Sequence, residues 1–134
     1  MPIWFVYAAI VVITWGVVGL FQKLSTNYIS AESTLILVTV AFCLFIPFTL
    51  QPLSTYSLKS LCFGVLSGVL SNAGAWGLFK AMESGGKASI VTPLCSMYPV
   101  VVMALAPTIL HESTTPSQII GVVCALIAVI LLAI

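Results

Sequence analysis

Charge is what this chain of 134 residues has least of: 5% of it is Asp, Glu, Lys or Arg, while 61% is apolar. A water-soluble domain carries about a quarter charged residues. Four basic residues, three acidic ones and one histidine cannot cover a water-facing surface, which excludes a soluble fold. The basic residues are all lysines and the net charge is +1. With no basic stripe and no charged tail, nucleic acid is excluded as a partner. Cys43, Cys62, Cys95 and Cys124 stand apart in apolar stretches. No C-x-x-C pair occurs, so no zinc site, other metal, cofactor or disulfide framework is expected, and the four serve as small apolar packing residues. The chain also lacks a nucleotide-binding loop, an H-E-x-x-H motif and a nucleophile constellation, and His111 is its one histidine. The expectation is a protein that is not an enzyme. Met1 to Leu20 lacks a positive n-region, and Trp15-Gly16 stand where a small-residue cleavage site is needed. A retained first helix is expected rather than a signal peptide.

What the chain has in abundance is long apolar runs. A spanning helix needs about 20 mostly apolar residues. Five windows meet that need: Ile3–Phe21, Ser33–Leu50, Leu58–Phe79, Ala88–Leu110 and Ser117–Ile134. The breaks between them hold Lys23 and Glu32, then Lys59, then Lys80, Glu83 and Lys87, then His111 and Glu112. That segregation follows from the expense of an unpaired charge at bilayer depth. Gln51-Pro52 closes the second window, Ser84-Gly85-Gly86 separates the third from the fourth, and Thr115-Pro116-Ser117-Gln118 forms a capping box with Pro116 at the first helical position. No break is long enough for a soluble domain. The fold class is therefore all-α: a polytopic membrane helix bundle of about five transmembrane helices, in a single domain over residues 1–134. Pro47 makes the second window the least uniform, the third and fourth windows have room to be broken, and four spans with one re-entrant segment is the alternative count.

With five spans, one side holds Lys23, Lys80 and Lys87 and the other holds Lys59. The positive-inside rule puts the three-lysine side in the cytoplasm of a cell inner membrane, and so small a bias permits insertion in both orientations. The same three lysines either form a basic mouth for an anionic or zwitterionic solute or snorkel to lipid headgroups as topology determinants.

Packing signals follow from the small residues. Gly64 and Gly68 on the third helix, and Gly121 and Ala125 on the fifth, have the four-residue spacing that lets membrane helices approach closely. The third helix is expected at the centre of the protomer, and the fifth-helix face meets either another helix or a second copy. On the fourth helix, Pro93, Pro99 and Pro107 leave the carbonyls of Ser89, Cys95 and Met103 without their usual partner. Those carbonyls must be satisfied by neighbours, water or ligand, so the disturbed segment either lines a cavity or is a packing kink.

Placing each span about its midpoint at about 1.5 Å per residue brings Trp15, Asn72 and Ser96 to one depth. Trp76 and Thr92 lie a turn nearer the three-lysine side, and Tyr98 lies near the middle. Trp15, Asn72, Trp76, Thr92, Pro93, Ser96 and Tyr98 are the candidate cavity residues. Asn72 either bonds substrate or ties the third helix to the fourth. Trp15 and Trp76 either stack on solute or fill space. No carboxylate lies deep in a span, which argues against a proton antiporter with a central acid. Glu83 follows Lys80 by three residues, so the two can pair.

These residues resemble a known family. Thr14-Trp15-Gly16 with Phe21-Gln22-Lys23, the run from Lys80 to Leu94 continuing through Tyr98-Pro99-Val100-Val101, and Leu110-His111-Glu112 with Thr115, Gln118 and Gly121 are similar to single-repeat members of the drug/metabolite transporter superfamily of the EamA type. His111 departs from the pattern, standing where a small residue is usual. The resemblance implies an exporter of small metabolites or drug-like solutes with a central cavity, working by alternating access. Larger relatives are similar to two such repeats in tandem, which implies a dimer here, antiparallel if the two copies insert oppositely. Its partners would be a small-molecule solute, membrane lipid and a second copy. A different class remains open: a non-transporting subunit or scaffold of a hetero-oligomeric membrane complex.

Overall fold

The computed structural model describes residues 3–50, 52 and 56–133. Among them the secondary structure is all helix: α1 (Ile3–Thr26), α2 (Ala31–Cys43), α3 (Ile46–Thr49), α4 (Leu58–Glu83), α5 (Ala88–Cys95), α6 (Tyr98–Ile109) and α7 (Pro116–Ala133). Gln51, expected to close the second window, and Ile134, expected to end the fifth, lie outside the described residues. Three stretches are long and apolar enough to cross a membrane: Ile3–Thr26, Leu58–Glu83 and the α5–α6 run Ala88–Ile109. Ala31–Cys43 and Pro116–Leu132 are shorter apolar helices. Large apolar side chains lie on the outside throughout, with Phe48 86% and Leu58 77% exposed. A surface of that kind is stable against lipid, and the molecule is an integral membrane helix bundle.

The helix ends obey local rules. Ser30 and Ser57 cap α2 and α4, their hydroxyls accepting from the Ser33 and Ser60 amides at 3.2 Å. At α7 the expected capping box is formed in both directions. The Thr115 amide donates to Gln118 Oε1 at 2.8 Å, and the Gln118 amide donates to Thr115 Oγ1 at 3.4 Å.

Two prolines set the helix breaks. Pro47 removes an N–H and crowds the carbonyl four residues back, which is Cys43, and α2 ends there. Pro99 acts in the same way on Cys95, where α5 ends. Each proline then stands in the first turn of the next helix. Pro93 and Pro107 lie inside α5 and α6 without ending them. The fourth window is thus interrupted once, ahead of Pro99, and the third is unbroken. The second window is also split. Its 13-residue α2 is about 20 Å long, less than the roughly 30 Å hydrocarbon core.

The chain divides into two units, Met1–Gly85 and Gly86–Ile134. In the first, α4 packs on both α2 and α1. The buried residues Gly19, Thr26, Ala31, Thr34, Phe79 and Met82 gather where α1 and α4 end and α2 begins. From Cys62 to Gly74, α4 is exposed. An added Cβ at Gly64 or Gly68 would meet no atom within 4 Å. In the second unit, α5 packs on α7, and Val91, Ala106 and Val129 are buried. Gly121 likewise has open space where a Cβ would stand, and Ala125 is half-buried.

Among the described residues, two backbone positions have a left-handed φ: Gly85 at 100° and His111 at 56°. Gly85 follows the end of α4 and donates its amide to the Met82 carbonyl at 3.3 Å, a conformation open to glycine at no steric cost. His111 takes the equivalent position after α6. A side chain at this φ is disfavoured, which is a physical reason for a small residue at such a position.

Candidate functional site

In the first unit, one face of α4 carries Asn72, Trp76 and Lys80 at four-residue intervals, so the three side chains stack along one helix face. α2 runs antiparallel beside them and supplies the partners. Glu32, in the first turn of α2, accepts through Oε1 from Lys80 Nζ at 2.9 Å and from the Trp76 indole N–H at 3.3 Å. Two turns further along α2, the Thr39 hydroxyl lies 3.3 Å from Asn72 Oδ1. That hydroxyl also donates to the Leu35 carbonyl at 2.8 Å. A single hydrogen serves the shorter bond better, which leaves the Asn72 oxygen with spare accepting capacity. The Asn72 amide group donates to the Gly68 carbonyl at 3.0 Å. The contact Asn72 makes with another helix is therefore as an acceptor, and its partner Thr39 is on α2. Trp15 is 63% exposed on α1.

The lysine end of this unit is a polar cluster. Lys80 Nζ also holds Glu83 Oε2 at 2.8 Å, the i, i+3 pair expected from sequence. One ammonium thus serves two carboxylates. Lys23 Nζ donates to the Met82 carbonyl at 2.7 Å, capping the C-terminus of α4 with a positive charge where the helix dipole favours one. The Ser25 and Thr34 hydroxyls meet at 3.0 Å between α1 and α2. Sequence reasoning overlooked Glu32 and the Met82 carbonyl as partners of the lysines. The signal was present: with five spans, the Lys23–Glu32 break and the Lys80–Lys87 break share one membrane side.

The other sequence-predicted residues belong to the second unit. Lys87 is exposed and precedes α5 without a side-chain cap bond. The Thr92 hydroxyl is buried and has no hydrogen-bond partner among the described residues, one residue before Pro93. Ser96 Oγ donates to the Thr92 carbonyl at 2.8 Å, supplementing the backbone bond from the Ser96 amide at 2.9 Å. Tyr98 opens α6 and is 60% exposed. An open cavity of about 210 Å³ lies elsewhere in this unit, with Pro99, Val102, Met103 and Ala106 on its apolar side and Glu112, Ser113, Thr114 and Gln118 on its polar side. None of Thr92, Pro93, Ser96 and Tyr98 lines it. Among the described residues, no three His, Cys, Asp or Glu side chains gather as metal ligands.

The chain is similar to an uncharacterized protein of Methanocaldococcus jannaschii, 33% identical over 127 residues that cover 93% of this chain and 92% of that protein. No solved structure gives a significant match. The model of the EamA-like transporter family matches residues 2–134. Its members are membrane carriers of small solutes rather than enzymes. With that match over nearly the whole chain, and apolar helices able to cross a bilayer, the protein belongs to the EamA-like transporters of the drug/metabolite transporter superfamily.

Proposed function

We propose that this protein is a secondary transporter that exports small metabolites or drug-like solutes across the cell inner membrane by alternating access, and that it works as a dimer. In the first unit the proposed solute contacts are Trp15, Asn72 and Trp76. In the second they are Thr92, Pro93, Ser96 and Tyr98. Lys23 and Lys87, which have no carboxylate partner among the described residues, serve as the basic mouth together with Lys80. The observation that carries the reading is the Thr92 hydroxyl, buried and unpartnered. A buried polar group without a bond is destabilising unless something else completes it, and a solute hydroxyl, amide or carboxylate would do so. The proline beside it leaves the Ser89 carbonyl without an amide partner, and α5 ends three residues after Thr92, at Cys95, as in transporters whose broken helices line the substrate path. Support for a dimer comes from the open small-residue faces at Gly64, Gly68 and Gly121, which have room for another helix. The single lysine of difference between a two-to-two and the observed three-to-one distribution leaves orientation weakly fixed, which suits an antiparallel pair.

The test is a thermal-stability screen of purified protein in detergent against amino acids, nucleobases, sugars, polyamines and lipophilic cations. A ligand that binds the folded state raises the melting temperature by mass action. The expected result is a rise with one chemical class that disappears in Thr92→Val. No rise with any class from a monodisperse sample would overturn the transport reading in favour of a subunit awaiting a partner.

A further inference from the structure

Glu32 is not itself among the proposed solute contacts, but one of its oxygens joins two residues of α4 that are assigned to the solute path and its mouth. Oε1 accepts from Lys80 Nζ at 2.9 Å and from the Trp76 indole at 3.3 Å. Trp76 and Lys80 are one helical turn apart, so a single carboxylate grips two successive turns of the neighbouring helix. The next polar contact along the same face, Thr39 with Asn72, is 3.3 Å long and shares its hydrogen with the Leu35 carbonyl. The strength of the α2–α4 polar contact is therefore concentrated at Glu32.

The ion pair is also built to break. The Lys80 and Glu32 side chains are 43% and 52% exposed, so water and salt reach the pair and weaken it. When Glu32 departs, Lys80 keeps Glu83, its partner on the same helix at 2.8 Å, and no buried charge is stranded. Glu32 itself is released towards water at the start of α2. Lys23 stays on the Met82 carbonyl and Ser25 on Thr34, so α1 continues to hold both neighbours while α2 and α4 part.

We propose that Glu32 is the latch of the lysine end of the first unit: it holds α2 closed on α4 and positions the Trp76 indole, and both are released together when that end opens. This rests on the alternating-access reading for its purpose, but its test does not.

The experiment is hydrogen–deuterium exchange on the full chain in lipid nanodiscs, following peptides from the first two turns of α2 and the last two turns of α4. The wild type should show both segments exchanging as one cooperative unit, faster at high salt than at low salt. Glu32→Gln and Lys80→Met should each raise exchange several-fold in both segments and abolish the salt dependence. The double variant should exceed neither, because both changes break the same ion pair between α2 and α4, and the Glu83 pair that Lys80→Met also removes lies within α4. Glu83→Gln should leave exchange as in the wild type, since Glu83 does not join two helices. A rise in Glu83→Gln equal to that in Glu32→Gln would overturn the proposal, as would additive effects in the double variant. Should Glu32→Gln fail to fold, the salt dependence in the wild type and in Glu83→Gln still decides: exchange independent of salt in both sinks the latch. A failed ligand screen with the exchange pattern intact would count against transport and not against the latch.

Discussion

In the first unit, polar side chains reach from helix to helix: Lys23 to the end of α4, Ser25 to Thr34, Glu32 to both Trp76 and Lys80, Thr39 to Asn72. In the second, among the described residues, they reach no further than four positions along the chain, and the Thr92 hydroxyl reaches nothing. The first unit ties its helices together through polar groups and keeps its long helices α1 and α4 unbroken. The second carries Pro93, Pro99 and Pro107 in its α5–α6 stretch, is broken ahead of Pro99 as α2 is ahead of Pro47, and leaves a buried hydroxyl to be completed by something else. Interhelical polar contact and an uncompleted hydroxyl are thus divided between two parts of a short chain. In a bilayer that division matters, because an unsatisfied group has no water to turn to.

The largest effect that could break this comparison is at Phe79, fully buried in the first unit. Phe79→Ala should destabilise the protein by about 3 kcal/mol in equilibrium unfolding from mixed micelles. An unchanged midpoint would mean that the polar contacts, and not packing, hold the lysine end together. Gly85→Ala comes next. Its φ of 100° is strained for any residue with a Cβ, and a loss of about 2 kcal/mol is expected, although open space surrounds the position.

Thr92 and Asn72 sharpen the contrast through the sign of their effects. Thr92→Val removes an uncompleted hydroxyl at nearly constant volume and should stabilise the protein by about 1 kcal/mol while weakening any ligand-induced thermal shift. A destabilised Thr92→Val would show that the hydroxyl has a structural partner. His111→Gly relieves a left-handed side chain and should also stabilise, by about 1 kcal/mol, measured in the same unfolding assay and with no change in ligand response. Asn72→Ala is the smallest: a loss of about 0.6 kcal/mol is typical of one interhelical hydrogen bond in a membrane. A loss several times larger would move Asn72 from solute contact to structural tie.

Much of the architecture was legible before any coordinates. The apolar windows located the helices because a bilayer demands continuous apolar length. Thr115 and Gln118 announced the start of α7 because capping is a local chemistry. Lys80 and Glu83 announced their pair because i, i+3 neighbours meet on any helix. Helix lengths were less legible. α1 and α4 continue past the last apolar residue to Thr26 and Glu83, since a backbone ladder runs on until a cap stops it. The prolines were marked correctly as disturbances, but which of them would end a helix was not evident from composition. Pro47 and Pro99 did so, and Pro93 and Pro107 did not.

The sequence by itself determined that this chain lives in a membrane, that it is helical, where the breaks between its apolar windows fall and to which family it belongs. All of these rest on hydropathy, local hydrogen bonding and ordered motifs, which are properties of neighbouring residues. The tertiary structure decided who pairs with whom. Glu32 finds Lys80 and Trp76 across 44 to 48 positions of chain, Lys23 finds a carbonyl 59 positions away, and Thr92 is left without a partner. Contacts of that kind depend on how helices lie against one another, and packing between apolar helices, with no water to drive it, is set by shape and by the few polar groups that must be satisfied.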